Sequence, residues 1–306
     1  MGNLNKGSLL KAALWGGVAL CTPMASTAAW ATDVDPGDYV ALPPGSNLAI
    51  VYAQFAERDA IYAKGDKQPG DPGLDSTVFI LRGVHYMDIA GLTVDPQFLL
   101  PLGQLEGKGD THALGKSGGA AGDLILAATV WLVNKPKSNT YFGITPFVYV
   151  PTGSYDRTRP LNLGENRWKF VLQGGFVKGV TPKISIDLVG DVTFYGKNND
   201  FGSSSARLTQ SASGQFQAFA RYQLKPNLDF RVGGSFVTGG ETRIDGIRQQ
   251  DQASNWKGNV GMAWFPAKTV QLLATYGRLR PRHFGEERIS GIEPPQFASS
   301  EGLLSI

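Results

Sequence analysis

The sequence predicts an all-β protein, a transmembrane antiparallel up-and-down β-barrel of about 12 strands, within a range of 10–14. Three observations predict this class: an export signal, two-faced strands longer than those of globular proteins, and connections that alternate between long and short. The composition agrees, because 39 of 306 residues are glycine, against a usual ~7%, and only 18% are charged, against a usual ~25%. The net charge of +3 is too small to predict a nucleic-acid partner, and one cysteine excludes a disulfide framework.

Residues 1–31 have the three parts of a secretory signal peptide. Lys6 and Lys11 precede an apolar stretch at 12–20, and Ala29-Trp30-Ala31 supplies a cleavage site. Nine apolar residues are too few for a membrane anchor, because the hydrocarbon core is ~30 Å thick. Cleavage after Ala31 would remove the cysteine and export the chain from the cytoplasm.

An N-terminal segment at 32–46 is predicted to follow, and the barrel is predicted at 47–306. Pro36, Pro43 and Pro44 favour an extended conformation for this segment. A 12-stranded ring is too small to be a wide open pore, so we expect either a narrow channel or a blocked one, with this segment or the loop at 103–120 as the plug.

Period-two alternation marks the strands. Within 182–195, Ile184 and Leu188 share one face, while Asp187 and Asp191 share the other. Globular strands usually have ~5–6 residues, whereas a tilted membrane-spanning strand needs ~9–11, and most of these runs are longer still. Strands are predicted near 47–55, 74–89, 92–102, 121–133, 139–151, 166–178, 182–196, 207–224, 226–238, 253–265 and 268–280, with a twelfth within 294–306 to give the even count of bacterial barrels.

The connections between these strands alternate in length along the whole chain. Long loops are predicted at 56–74, 103–120, 152–165, 197–206 and 239–252. Short turns are predicted near 90–91, 134–138, 179–182, 225–226 and 266–267. Short periplasmic turns and long external loops are typical of outer-membrane barrels, so the bacterial outer membrane is the predicted location.

Apolar strand faces in contact with lipid require a closed ring, because hydrocarbon offers no water to an unpaired edge. Aromatic residues near strand ends are predicted to form interfacial girdles. They are Trp131, Tyr149, Tyr155, Trp168, Tyr195, Tyr222, Trp256 and Trp264. A soluble secreted β-sandwich is the alternative, and it would bury the same faces in its interior.

Three segments in the middle of the chain carry a family resemblance: AGDL at 121–124, FVYVPTGSYD at 147–156 and NLGENRW at 162–168. Over roughly residues 40–280 the chain resembles the meta-pathway phenol-degradation family of outer-membrane barrels. The resemblance implies an outer-membrane β-barrel near pathways that consume aromatic or other hydrophobic compounds, with a transport role. The chain departs from most outer-membrane barrels at its end, which reads Leu-Leu-Ser-Ile and lacks the terminal aromatic residue that the assembly machinery recognises.

The second and third segments form a loop motif with a physical explanation. Pro151 lacks an N–H and suits the last position of a strand, and Gly153 would permit a turn out of the wall. Asn162 and Asn166 can bond loop backbone, and Trp168 would anchor the returning strand. Both a loop-shaping role and a ligand contact stay open for this motif. Its residues are Pro151, Gly153, Tyr155, Asn162, Gly164, Asn166 and Trp168.

The polar faces of the strands are predicted to line the lumen. The candidate lumen residues are Asp123, Arg167, Lys169, Gln173, Asp187, Asp191, Arg221, Asp229, Arg231 and Lys257. Charges inside a membrane need water or charged partners. The mixed signs leave two interpretations open, ion pairs that brace the wall or a polar constriction that selects solutes.

Catalytic and metal motifs are not apparent in the sequence. His85, His112 and His283 lack metal-ligand spacing, and no esterase elbow occurs. Gly115-Lys116-Ser117 resembles the end of a phosphate loop, but Asp110 stands where that loop needs glycine. No catalytic residue, metal or cofactor is therefore predicted.

The leading hypothesis is a channel or transporter for passive uptake of a small molecule, with hydrophobic or aromatic solutes as candidates. A structural or interaction barrel without an open pore is one alternative, and a hydrolase at the barrel rim is another. The predicted partners are membrane lipid, the solute and the outer-membrane assembly machinery, but no nucleic acid.

Overall fold

The computed structural model describes residues 33–63, 66–67, 69–281 and 296–305, and a ring of twelve antiparallel strands dominates it. Each wall strand pairs with its neighbours in chain order, and the last strand pairs with both the strand before it and the first strand. The strands are β1 (Asn47–Ala63), β2 (Pro72–His85), β3 (Leu92–Gly109), β4 (Leu124–Lys135), β5 (Thr140–Val150), β6 (Lys169–Thr181), β7 (Ile184–Tyr195), β8 (Ser213–Lys225), β9 (Leu228–Gly239), β10 (Ala253–Ala267), β11 (Val270–Pro281) and β12 (Gln296–Ser305). The predicted barrel of about twelve strands is confirmed.

Smaller elements lie at the ends of the wall. Asp66–Lys67 pairs with β1 and Met87–Ile89 pairs with β3. A separate four-stranded sheet joins two external loops through Asn198–Phe201, Ala206–Gln210, Thr242–Ile244 and Ile247–Arg248. Two 3-10 helices span His112–Leu114 and Pro136–Ser138. In the described parts of the chain, no helix has the length and apolar character needed to cross a membrane.

Several predicted loop bounds are wrong because strand pairing outlasts the apolar alternation. The loop predicted at 56–74 is mostly strand, since β1 continues to Ala63 and Arg58 still pairs with Leu74. The loop predicted from 103 begins only after Gly109. The strand predicted at 207–224 is two strands, because its first residues join the external sheet and β8 begins at Ser213.

The two faces of the wall strands are separated as predicted for most of the ring. In β6, Phe170 and Leu172 are exposed on the outer face, whereas Val171 and Gln173 are buried on the inner face. Outward apolar residues of this kind meet lipid, and inward residues face the lumen.

Three of the residues predicted for the aromatic girdles face the lumen instead, and one of them, Tyr195, contacts the buried Ser213 hydroxyl over 2.8 Å. Trp131 is only 2% exposed and Tyr149 only 4% exposed, and both lie in clusters on the inner face. They share an alternation phase with the buried residues Thr129 and Phe147. The inner face therefore carries large apolar groups as well as the predicted polar ones.

Candidate functional site in the lumen

The N-terminal segment, residues 33–46, lies inside the ring of strands. Near its start, the Val34 amide donates to the side-chain oxygen of Gln217 over 3.2 Å. Near its end, the Gly45 amide donates to the Tyr86 carbonyl over 2.7 Å, beside the start of β1. The segment thus descends through the lumen to the periplasmic end of the wall without joining the sheet.

Tyr39 fastens the segment to the middle of the wall. Its hydroxyl lies 2.9 Å from the Thr145 hydroxyl and donates to the Gln173 side-chain oxygen over 3.0 Å. Its ring occupies a slot left by Gly143 and Gly175, which pair across β5 and β6. A Cβ at Gly175 would lie 2.2 Å from the ring, so this glycine is required by packing.

Charged side chains of the wall hold the same segment. Asp33 lies 2.7 Å from the Lys257 ammonium, and Asp38 lies 2.9 Å from the Arg82 guanidinium. Arg231 donates to the Pro36 carbonyl over 2.5 Å. Three strands, β2, β9 and β10, therefore contribute cations to the segment.

Asp35, in the middle of these contacts, is difficult to ionise. Burial and the neighbouring Asp38 raise the pKa of its carboxyl from 3.8 to about 7, although Arg231 and Arg82 oppose the shift. A buried carboxylate is costly unless positive charge compensates it. The segment is therefore seated most firmly when Asp35 carries its proton.

An apolar band crosses the inner face of the neighbouring strands. Its members come from β1 to β6 and pack against one another as one buried cluster. They are Tyr52, Val78, Ile80, Leu99, Ile125, Phe147, Tyr149 and Val171. We call this cluster the apolar band, and it gives the lumen a hydrophobic side.

The polar side of the lumen holds most of the predicted lumen residues. All ten are buried or half-buried, and several pair with one another. Asp187 lies 3.0 Å from Arg221 and also accepts the Gly37 amide. Asp229 lies 2.6 Å from Arg231. Gln173 donates to Asp191 over 3.3 Å. These contacts favour the bracing interpretation for those residues, and the solute-selecting role stays a prediction.

Glu165, which the sequence analysis missed, organises the remaining predicted cations at the external rim. It lies 2.6 Å from Arg167 and also contacts Lys169. Burial alone would raise the pKa of Glu165, but Lys169 and Arg167 outweigh burial and hold it at about 2. A signal was present in the sequence, since one acid precedes two bases by two and four residues in the loop motif.

Asp123 ties the two halves of the loop motif together. Its two carboxylate oxygens accept the backbone amides of Gly153 and Glu165, each over 2.9 Å. The backbones of Gly153 and Gly164 cross so closely that a Cβ on Gly153 would lie 2.7 Å from Gly164, and a Cβ on Gly164 would lie 2.6 Å from Gly153. Gly153 does not adopt a positive φ, so the close approach of the two backbones is the reason that glycine is required there. Its role in turning the chain out of the wall stays a prediction.

The other motif residues bond within the loop or lie at its ends. Asn162 accepts the Asp156 amide over 2.8 Å and donates back to the carbonyl of the same residue. Asn166 adopts a φ of 53° and donates to Asn198 over 3.1 Å. Tyr155 donates to a carbonyl of the external sheet. Pro151 and Trp168 flank the loop, and Trp168 is exposed. These contacts favour loop shaping, and a ligand contact stays a prediction.

The two histidines in the described part of the chain, His85 and His112, belong neither to the lumen residues nor to the loop motif. His85, at the periplasmic end of β2, lies 2.8 Å from the Asn47 side chain. His112 lies in the 3-10 helix of an external loop, and His283 lies outside the described residues. Within those residues, no group of three or more His, Cys, Asp and Glu side chains is placed to hold a metal ion.

Comparisons with known proteins give a matching family model and solved structures of similar fold. The family model described as "Putative MetA-pathway of phenol degradation" matches residues 58–284. A crystal structure of an outer membrane channel from Pseudomonas putida F1 is 38% identical with a TM-score of 0.78, and the match covers 89% of this chain and 99% of that chain. The transport unit of the autotransporter AIDA-I from Escherichia coli is similar in fold alone, at 8% identity and a TM-score of 0.52 over 91% of this chain and 93% of that chain. No curated protein matches this chain.

Proposed function

Because this chain belongs to the meta-pathway phenol-degradation family and forms a β-barrel of the bacterial outer membrane, we propose that it is a channel for passive uptake of a small hydrophobic or aromatic molecule. The family resemblance carried by its sequence motifs is confirmed. The general assignment as an outer-membrane channel is supported by the likeness to the Pseudomonas putida channel.

The apolar band is the observation that carries the choice of solute. A channel for sugars or ions needs a wet, polar lining, whereas this lumen presents Val78, Ile80 and Leu99 on one side. Small aromatic molecules gain free energy when apolar surface leaves water, so such a band favours their passage. Passage would be driven by the gradient alone.

The N-terminal segment would act as the plug of this channel. It lies in the lumen beside the apolar band and is held by Tyr39 and by ion pairs at Asp33 and Asp38. It is not paired into the sheet, so it can move while the wall stays closed. We therefore assign residues 32–46 to gating and the ring to support.

Single-channel recording tests the proposal with the folded, processed chain in a planar bilayer. We expect small ion-current steps that benzyl alcohol interrupts, because a ring in the lumen displaces the conducting water. A sugar of similar size is the control solute and should interrupt the current less. A folded barrel that conducts no ions and does not respond to benzyl alcohol would contradict the channel and favour a structural barrel.

A rim hydrolase is the remaining alternative, and replacing each histidine in turn tests it. The likeness to a channel supports a non-enzymatic role. Any hydrolysis that disappears in His112→Ala, with the barrel still folded, would instead support an enzyme.

A further inference from the structure

A cavity of about 100 Å³ lies in the lumen between the N-terminal segment and the wall. Among the described residues that line it, every cation belongs to the wall and every acid belongs to the segment. The cations are Arg58, Arg82 and Lys257, and the acids are Asp33, Asp35 and Asp38. In the backbone register, Glu301 of β12 pairs with Ala56 and Gly277.

One carboxylate in contact with Lys257 comes from a part of the chain that is not in the wall. The Lys257 ammonium lies 2.7 Å from Asp33, which is 224 residues away in sequence. The segment that carries Asp33 reaches this lysine much as a separate ligand would. A half-buried ammonium in a lumen requires a charged or hydrogen-bonding partner, and a bound carboxylate could supply the same contact.

Apolar side chains of the wall line the same cavity. Tyr52, Val78, Ile80 and Leu99 of the apolar band line the same space as the cations. Arg58, buried above them, donates to the Ser76 hydroxyl over 3.3 Å. A molecule in the cavity would thus meet a hydrocarbon surface and a positively charged rim together.

From these contacts we infer that the cavity binds a small amphipathic carboxylate, whose anionic group replaces Asp33 at Lys257 and whose apolar body lies on the apolar band. The inference rests on the proposed channel function and adds that the solute carries a negative charge. The N-terminal segment then competes with the solute for the same cation. Its carboxylate serves as a built-in substitute for the ligand when the lumen is empty.

Isothermal titration of the folded, processed chain in detergent tests the site with benzoate, benzyl alcohol and benzylamine. Since the three share a ring and differ in charge, we expect benzoate to bind about tenfold more tightly than either of the others. Asp33→Asn should strengthen benzoate binding several-fold by removing the competitor. Lys257→Gln should weaken it about tenfold, whereas Lys183→Gln, in a periplasmic turn, is the matched control.

The double variant Asp33→Asn/Lys257→Gln removes the ion pair as a unit and covers the case in which Lys257→Gln does not fold. It should bind benzoate as weakly as benzyl alcohol. Equal affinity for benzoate and benzyl alcohol in the native chain, or undiminished benzoate binding in the double variant, would overturn the site. Current interruptions by benzyl alcohol without a benzoate preference would reject this site and keep the channel. Benzoate binding without any ion current would keep the site and reject the channel.

Discussion

Two glycines decide where the N-terminal segment can lie. Gly143 and Gly175 leave a flat slot on the inner face, and the Tyr39 ring fills it against Trp131, with ring centroids 5.7 Å apart. The stability of this contact depends on shape, because its hydroxyl bonds to Thr145 and Gln173 form only when the ring is fully inserted. Close packing of this kind tolerates little added volume.

Gly175→Ala should therefore displace Tyr39 and loosen the segment. We expect the free energy that holds the segment in the lumen to fall by about 1–3 kcal/mol, as is typical of an overpacked site. The channel should then show a larger open fraction in single-channel recordings. Gly174→Ala is the matched control, since its Cβ would point outward with no atom nearer than 3.9 Å. Equal open fractions in the two variants would show that Tyr39 does not hold the segment.

Neither glycine could be singled out from the sequence for this role. Both lie inside strands, where glycine is also used for bends and for curvature of a closed sheet. The partner that explains them, Tyr39, is 106 residues from Thr145 and belongs to no strand. The alternation of β4 shows which residues share a face with Trp131, but it does not reveal that Tyr39 of the N-terminal segment packs against that face.

At the scale of elements, the N-terminal segment should respond to pH through Asp35. Its pKa is raised to about 7 in the seated segment and returns toward 3.8 when the segment leaves the lumen. The seated state is thus most favoured below pH 4 and loses that advantage as pH rises to about 7. We expect the open fraction of the channel to increase over the same interval.

Asp35→Asn should remove this dependence, because an amide stays neutral at every pH in the interval. Other groups near the segment, Asp33, Asp38, Arg82 and Arg231, remain unchanged in that variant. Asp59→Asn, an exposed outward residue of β1, is the control. A pH response that persists in Asp35→Asn would assign the effect to another group.

The bounds of the elements were predictable only where lipid imposes a pattern. Within the membrane, outward residues such as Phe170 and Leu172 must be apolar, so the alternation marks the strand. Beyond it, hydrogen bonds alone continue the strand, as between Gly73 and Lys108, and polar residues fit either face. That is why β1 and β3 extend further toward the external side than predicted.

At the scale of the whole molecule, closure depends on β12. This strand pairs with β1 over Tyr52 to Tyr62 and with β11 over Leu273 to Arg278, so it joins the two ends of the ring. An unpaired edge in hydrocarbon leaves backbone groups without partners at a cost of several kcal/mol each. Closure was predictable for the same reason, and the even count followed from the usual count in bacterial barrels, although the sequence of this strand is weakly alternating.

Removal of residues 296–306 should consequently abolish folding of the barrel. We expect loss of the heat-dependent shift in electrophoretic mobility that folded barrels show. Removal of a similar number of residues at 241–251 is the control, because it takes away part of the external sheet and leaves the wall complete. Retention of the shift after the C-terminal deletion would mean that β11 and β1 can pair directly.

The long separation between Asp33 and Lys257 has a consequence for biogenesis. The segment is among the first parts of the exported chain, yet its partner on β10 is synthesised near the end. The wall residues that bind the segment come together only when most of the wall has assembled. The barrel therefore passes through a stage in which the segment does not yet occupy the lumen. Periplasmic chaperones would therefore contact the acidic N-terminal segment before it enters the lumen. Insertion of this segment would be the final step of barrel maturation.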